Sequence, residues 1–215
     1  FQRINGSDLP RGSSMINIPD IILIPLLFIL GASFGSFLNV VIYRVPKKMS
    51  IIRPASHCFS CKEPIKIKDN IPILGYFLLK GKCRQCDAPF ESRYAFVELI
   101  TGLLTLCVYL IYGLGQPFVI YLILTYLLIA VTFVDIDHFI IPNGFVMIGL
   151  GTLLFALLFE WIPIAWDDAV TGAFVFAGFL FGIGLIGQFI LKKESIGFGD
   201  VKLGLVLGGF LGTEY

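Results

Sequence analysis

The sequence predicts an all-α polytopic membrane protein, with at least six transmembrane helices and a small cytoplasmic zinc-binding insert. Of its 215 residues 57% are hydrophobic and only 14% charged, with a mean hydropathy of +0.88. A soluble domain is about half apolar and about a quarter charged. Runs of about 20 apolar residues recur, the length a helix needs to cross the hydrocarbon core of a bilayer. The single long polar block carries four cysteines in two CxxC pairs. The net charge of +1 excludes little, because the charges are strongly segregated.

Residues 1–14 stand outside the fold: Leu9-Pro10-Arg11-Gly12-Ser13 resembles an engineered protease site, and Met15 reads as the natural start. Residues 15–43 hold the first membrane helix, with its apolar run at Ile21–Ile42. That run is too long for a signal-peptide core and lacks a small-residue cleavage site, so it is a retained anchor. Its stripe Gly31-Ala32-Ser33-Phe34-Gly35-Ser36 suits close helix packing. Asn39 is expected to hydrogen-bond a neighbouring helix. Residues 44–93 form the polar block and residues 94–215 the main membrane part. The latter has apolar runs Tyr94–Tyr112, Pro117–Val134, Gly144–Ile162, Ala169–Leu191 and Val201–Tyr215. The last of these is short for a span, so a truncated carboxyl end is expected. No internal repeat or low-complexity tract is evident.

Lysine and arginine set the orientation. The polar block holds eleven of them from Arg44 to Arg93, and Lys192 and Lys193 follow the fifth run. The turns Gly113–Gln116 and Pro163–Asp168 have none. The positive-inside rule then places the amino terminus outside and the polar block in the cytoplasm. Counting passes, Asp135 and Asp200 both fall at the cytoplasmic face.

Cys58-Phe59-Ser60-Cys61 and Cys83-Arg84-Gln85-Cys86 lie 21 residues apart. Two such knuckles are the usual way to build a closed tetrahedral zinc site from four cysteines. A reducing compartment argues against disulfides, and a redox CxxC would need no second copy. A block of this size buries little core, so bound metal would supply folding energy. His57 is expected at the surface, and Cys107 as a lone thiol in a helix. The basic excess suits acidic lipid headgroups, and no aromatic stacking platform suggests nucleic acid.

Acids inside membrane segments are costly and point to function. Two carboxylates sharing one proton can activate water and protonate a substrate carbonyl, the chemistry of an aspartyl protease. In Gly197-Phe198-Gly199-Asp200 the glycines admit close backbone approach, and Asp200 opens a helix where the dipole favours negative charge. A simple helix cap is the plainer reading of Asp200. Asp135 and Asp137 compete as partner. Pro142-Asn143 should break one helix and cap the next, which leaves Asp135 deeper than Asp137. His138 reads as an interfacial side chain. Lys202 either tunes Asp200 or marks the membrane edge.

These residues resemble a known family, the bacterial type IV prepilin peptidases (leader peptidase/N-methyltransferases). The likeness begins at Gly35-Ser36-Phe37-Leu38-Asn39-Val40-Val41-Ile42-Tyr43-Arg44-Val45-Pro46 and runs through both CxxC pairs. It includes Asp69-Asn70-Ile71-Pro72-Ile73-Leu74-Gly75-Tyr76 and Arg93-Tyr94-Ala95-Phe96-Val97-Glu98-Leu99, then resumes at Asp135 to Asn143 and at Gly197 to Leu203. The resemblance implies an intramembrane aspartyl endopeptidase of the GxGD type, in the bacterial cytoplasmic (inner) membrane. It would remove the leader of type IV prepilins or pseudopilins and N-methylate the new terminus with S-adenosyl-L-methionine. It also implies catalytic roles for Asp135 and Asp200, with Gly197, Gly199 and Lys202 in support. Gly81 is implied in methyl transfer, and Cys58, Cys61, Cys83 and Cys86 in binding structural zinc. Phe59 stands where the family often has proline. No glycine-rich cofactor fingerprint is present, so the methyltransferase half rests on the resemblance. The rival readings are a non-catalytic assembly factor with a zinc-knuckle partner site, and an ion-relaying transporter.

Overall fold

A computed structural model describes residues 20–191 and 197–213. The tag-like stretch 1–14, Met15, Lys192, Lys193 and the chain end at Tyr215 lie outside the described residues. The helices are α1 (Asp20–Arg44), α2 (Leu74–Leu78), α3 (Ser92–Tyr112), α4 (Gln116–His138), α5 (Asn143–Leu158), α6 (Trp166–Leu191) and α7 (Phe198–Leu211). A single 3-10 turn spans Ile67–Asp69, and no strand occurs among the described residues.

The six long helices coincide with the six apolar runs. Among them α1, α3, α4 and α6 are long and apolar enough to cross a membrane. The other two are shorter, with 16 residues in α5 and 14 in α7. The apolar run expected to reach Ile162 stops being helical at Leu158, because Glu160 adopts a left-handed conformation with φ 54°. Trp161 then donates its N–H to the Ala156 carbonyl, and Ile162 folds back into the core. Large apolar side chains such as Leu110, Ile111, Phe174, Phe179 and Phe189 point outward. An exterior of that kind suits lipid, where every backbone polar group must be satisfied inside the helix itself.

Small residues set the closest helix contacts. A Cβ added at Gly35 would lie 2.7 Å from the Glu98 Cα, and one at Gly31 would strike the Thr105 side chain. The expected stripe on α1 is therefore the face that packs on α3. Thr101 and Thr105 turn their hydroxyls to the carbonyls of Val97 and Thr101, at 2.6 and 2.8 Å, so this tight seam leaves no polar atom unmet. Asn39 donates to the Tyr94 carbonyl at 3.0 Å, the interhelical bond expected of it. On the other side of the bundle, Gly172 of α6 and Gly208 of α7 bring their backbones together.

Helix α4 joins the two halves. Its Leu127, Val131 and Val134 pack with Val41, Val97 and Phe145 in one apolar cluster. Its Ile120 belongs to a second cluster with Val146, Ala156, Ala169, Val206 and Phe210. Polar ties fasten both ends. Arg93 pairs with Asp137 and Lys202 bonds Asn143 at one end, while Thr213 donates to Asp168 at the other.

The polar insert has almost no core: between residues 45 and 91 the buried described residues are Cys58, Gly75, Gly81 and Cys83. Two buried polar residues of the helices hold it instead. Arg44 donates to the carbonyls of Ser50 and Pro54, at 2.9 and 2.8 Å. Glu98 accepts the Ile73 N–H at 2.7 Å. The two cysteine knuckles also repeat each other over seven residues, as C-x-x-C-x-x-P. In each, the first cysteine exchanges hydrogen bonds with the segment before the proline: Cys58 with Glu63 and Lys62, Cys83 with Ala88 and Asp87. Lys62 and Asp87, the residues after the second cysteines, both take positive φ. A repeat this short is hidden from a scan for longer periods.

Substituting Gly35→Ala tests the α1–α3 seam. The new methyl must displace α3 backbone, and overpacking of this kind costs about 1–3 kcal/mol. Unfolding of the detergent-solubilised protein should shift accordingly, and an unchanged midpoint would contradict the packing.

Candidate active site and metal cluster

The end of α4 is set by Phe139, which takes a left-handed conformation (φ 53°, ψ 38°) and donates its N–H to the Asp135 carbonyl at 2.8 Å. Asp135 and Asp137 then point to different sides of the last turn. Arg93, at the start of α3, reaches Asp137 at 2.6 Å and the Phe133 carbonyl at 3.3 Å. Asp137 is thus held in an ion pair. Asp135 is partly buried and makes no side-chain hydrogen bond or ion pair among the described residues. The competition that the sequence left open has a physical difference behind it: one acid is engaged and the other is not.

The next helix does not begin as expected. Pro142 is the N-cap of α5, and Asn143 occupies the first helical position without capping it. A proline there is compatible with the extended backbone of an N-cap, and it frees the Asn143 side chain for a distant partner. That partner is Lys202, whose Nζ donates to Asn143 Oδ1 at 2.9 Å while lying 4.8 Å from the Phe198 ring centre. Lys202 therefore bridges helices.

Helix α7 starts at Gly197, its N-cap, and Asp200 sits in the first turn. The Asp200 carboxylate accepts the Gly197 N–H at 3.1 Å, half of a capping box whose other half a glycine cannot supply. The cap reading of Asp200 is real, yet it occupies only one carboxylate oxygen, and the side chain is only partly buried. Gly199 rests on Ile141, and a Cβ there would come within 3.1 Å of the Ile141 Cβ. Leu203, one turn further, packs against the same cluster as Val134. The first turn of α7 is thereby docked on the loop that ends α4, and both motifs share one end of the bundle.

In the insert, the Sγ atoms of Cys58, Cys61, Cys83 and Cys86 all lie within 4.8 Å of one another. Cys58 to Cys86 is 3.8 Å and Cys61 to Cys83 is 3.9 Å. Four thiols so gathered can hold a metal ion. His57 stands apart from them, its Nδ1 3.0 Å from the Ala55 carbonyl oxygen. The thiols are not equivalent. Amide N–H groups of Cys61 and Ser60 bring Cys58 down to about 6. At Cys86 the Ala88 amide pulls the same way, but desolvation and the neighbouring sulfurs outweigh it and push the thiol up to about 12. Cys61 is also raised: desolvation and the sulfurs of Cys58 and Cys83 overcome the Glu63 amide. Beside the cluster Arg84 grips Asp69, with contacts of 2.6, 2.9 and 3.2 Å, and holds that carboxyl below its ordinary range.

Gly81 has φ +68°, a conformation glycine adopts freely, and its carbonyl accepts the Phe90 N–H at 2.7 Å. A Cβ there would meet the Tyr76 hydroxyl at 2.9 Å. Two residues without an expected role also matter. Arg93 fixes Asp137, and Glu98 is a buried acid in an apolar helix. The rule that intramembrane acids are functional could have singled out Glu98 from the sequence.

All-helical among the described residues and apolar on its outside, with the helix ends that carry Asp135 and Asp200 at one end of the bundle, the protein is of the polytopic membrane class. Comparison with known proteins gives the family. The profile of the Bacterial Peptidase A24 N-terminal domain matches residues 29–112, and that of the Type IV leader peptidase family matches residues 122–215. A type 4 prepilin-like proteins leader peptide-processing enzyme of Escherichia coli O78:H11 is 38% identical over 202 residues, covering 85% of this chain and 74% of its own. Prepilin leader peptidase/N-methyltransferases of Klebsiella pneumoniae and Myxococcus xanthus are 38% and 40% identical over 195 and 187 residues. These alignments cover 87% and 86% of this chain, and 85% and 55% of theirs. No solved structure matches the chain. The chain belongs to the prepilin leader peptidase/N-methyltransferases, an aspartic peptidase family.

The unequal thiols make metal uptake pH-dependent. Raised thiols keep their protons at pH 8, so a thiophilic divalent ion must displace at least two, those of Cys61 and Cys86. Below about pH 6 Cys58 also becomes protonated, so affinity should fall more steeply there. Calorimetry in buffers of different ionisation enthalpy measures the count. Release of fewer than two protons at pH 8 would contradict the ordering.

Proposed function

We propose that the protein is an intramembrane aspartyl endopeptidase that removes the leader of type IV prepilins or pseudopilins, then N-methylates the new terminus. Asp135 and Asp200 are the catalytic pair. One carboxylate takes a proton from water and the other donates one to the scissile carbonyl, which requires the two to share a proton at neutral pH. The observation that carries this reading is the docking of the α7 start on the end of α4, through Gly199 on Ile141 and Lys202 on Asn143. It is supported by the engagement of Asp137 with Arg93, which leaves Asp135 as the acid able to change partners. Gly197 and Gly199 permit the approach, and Lys202 positions the loop.

The reaction end is cytoplasmic by the positive-inside rule, since the basic insert is fastened to it through Arg93 and Asp137. The membrane is then the bacterial inner membrane, with the amino terminus outside. The substrate's apolar helix would enter from the lipid, and its basic leader would stay in water.

The metal is structural zinc. With Zn–S bonds of about 2.3 Å, tetrahedral ligands stand about 3.8 Å apart. Two of the sulfur pairs, at 3.8 and 3.9 Å, already match that edge. Residues 44–93 make the zinc domain, residues 15–43 the first membrane helix and residues 94–215 the peptidase domain. S-adenosyl-L-methionine would supply the methyl group; the chain's own part is to hold the donor and the new amine near Gly81.

Mass spectrometry of a prepilin peptide, incubated with and without S-adenosyl-L-methionine, tests both reactions. Leader loss should occur in both samples, and a further gain of about 14 Da only with the methyl donor. Asp135→Asn and Asp200→Asn should each cut leader removal by at least about 10²- to 10⁴-fold, the usual span of acid–base catalysis. A variant that still cleaves at the native rate would remove that aspartate from the mechanism, and a parent protein that removes no leader would favour a non-catalytic assembly factor.

A further inference from the structure

A cavity of about 300 Å³ lies between the insert and the ends of α1 and α3. That is at the small end of the range for small-molecule sites. Its wall includes Tyr43, Tyr76, Phe90, Tyr94, Lys62 and Glu98. The wall's other acid, Asp69, is held by Arg84, and aromatic faces together with Glu98 suit a weakly hydrated cation and a flat ring system. Glu98 is 9% exposed and makes no ion pair among the described residues. Its carboxylate has only a backbone N–H, from Ile73, and the neighbouring Ser36 as partners. Lys62 shares the wall but forms no ion pair with it, and the other charges around the cavity are engaged. Arg44 serves two carbonyls, Arg84 holds Asp69, and Lys47 sits 3.5 Å over the Tyr43 ring. A buried carboxylate without an ion pair, in one cavity wall with aromatic rings, suits a cation that comes and goes.

We propose that this cavity holds the methyl donor, with Glu98 beside its sulfonium and the aromatic wall against its adenine. The proposal rests on the N-methyltransfer reading above and gives that activity a place. Lys62 in the wall offers a charge for the donor's carboxylate. During transfer the acceptor amine forms the N–C bond as the S–C bond breaks. The bonding pair stays on sulfur, and the amine loses one proton to solvent. Sulfur is cationic before the step and neutral after it, so a carboxylate at this position favours the donor over the spent thioether. Gly81 acts on the cavity through Tyr76, since a side chain there would press on the phenol that lines it.

The test is calorimetric titration of the full-length protein in nanodiscs with S-adenosyl-L-methionine and with S-adenosylhomocysteine, which lacks the sulfonium charge. Glu98→Gln can still accept the Ile73 N–H, so it removes charge and keeps shape. It should weaken S-adenosyl-L-methionine binding about tenfold, the scale of losing one close charge contact, and change S-adenosylhomocysteine binding less than about twofold. Leu79→Phe, which narrows the cavity, should weaken both ligands about tenfold or more. Metal content at the four cysteines verifies that each variant has folded. Unchanged binding of both ligands by both variants, with the parent still methylating, would overturn the site and leave the methyltransfer reading standing. Equal weakening of the two ligands by Glu98→Gln would reduce Glu98 to a structural role and overturn its assignment. A parent that neither binds the donor nor methylates would overturn the reading, and the site with it.

Discussion

The contact between Gly199 and Ile141 is the constraint on which the site depends. Asp200 belongs to a short helix whose main packing partner is α6, while Asp135 belongs to the long central helix α4. Nothing in either helix alone brings the end that carries its acid to the other. What does so is the absence of a side chain at position 199, which lets the start of α7 settle on the loop after Phe139. The Lys202–Asn143 bond then fixes the settled position, and Leu203 carries it into the apolar cluster around Val134. In a low-dielectric surround such polar ties are few, so each one has a large effect on where a helix end can sit.

The insert solves a different problem with a different means. Its apolar side chains are mostly exposed, and the four gathered cysteines lie where a core would. Two buried residues of the membrane helices, Arg44 and Glu98, fasten it by bonding its backbone. Because Arg93 both ends the insert and holds the last turn of α4, the metal cluster and the acids are parts of one mechanical unit. The two successive reactions proposed for one peptide end would gain from sites on the same rim.

Much of this was legible in the sequence. The six long helices follow from hydropathy, since lipid demands long uninterrupted apolar runs. The α1–α3 seam follows from the spacing of Gly31 and Gly35, and the cysteine cluster from its two knuckles. Other features were hidden because they depend on contacts remote in the chain. That Asp137 is engaged needs Arg93, 44 residues away, and that Asn143 is no cap needs Lys202, 59 residues on. The early end of α5 depends on one residue, Glu160, in a left-handed turn that no propensity favours. The seven-residue repeat of the knuckles and the lone acid at Glu98 were visible in principle, and are understood only through the hydrogen bonds they make.

The most direct measurement is a structure of the full-length protein with a non-cleavable prepilin segment in place. If Asp135 and Asp200 work as a pair, their carboxylates will flank the scissile carbonyl, each within about 3 Å of one shared water. Acids lying at opposite ends of the bundle, or parted by an intervening helix in that complex, would contradict the shared-proton chemistry.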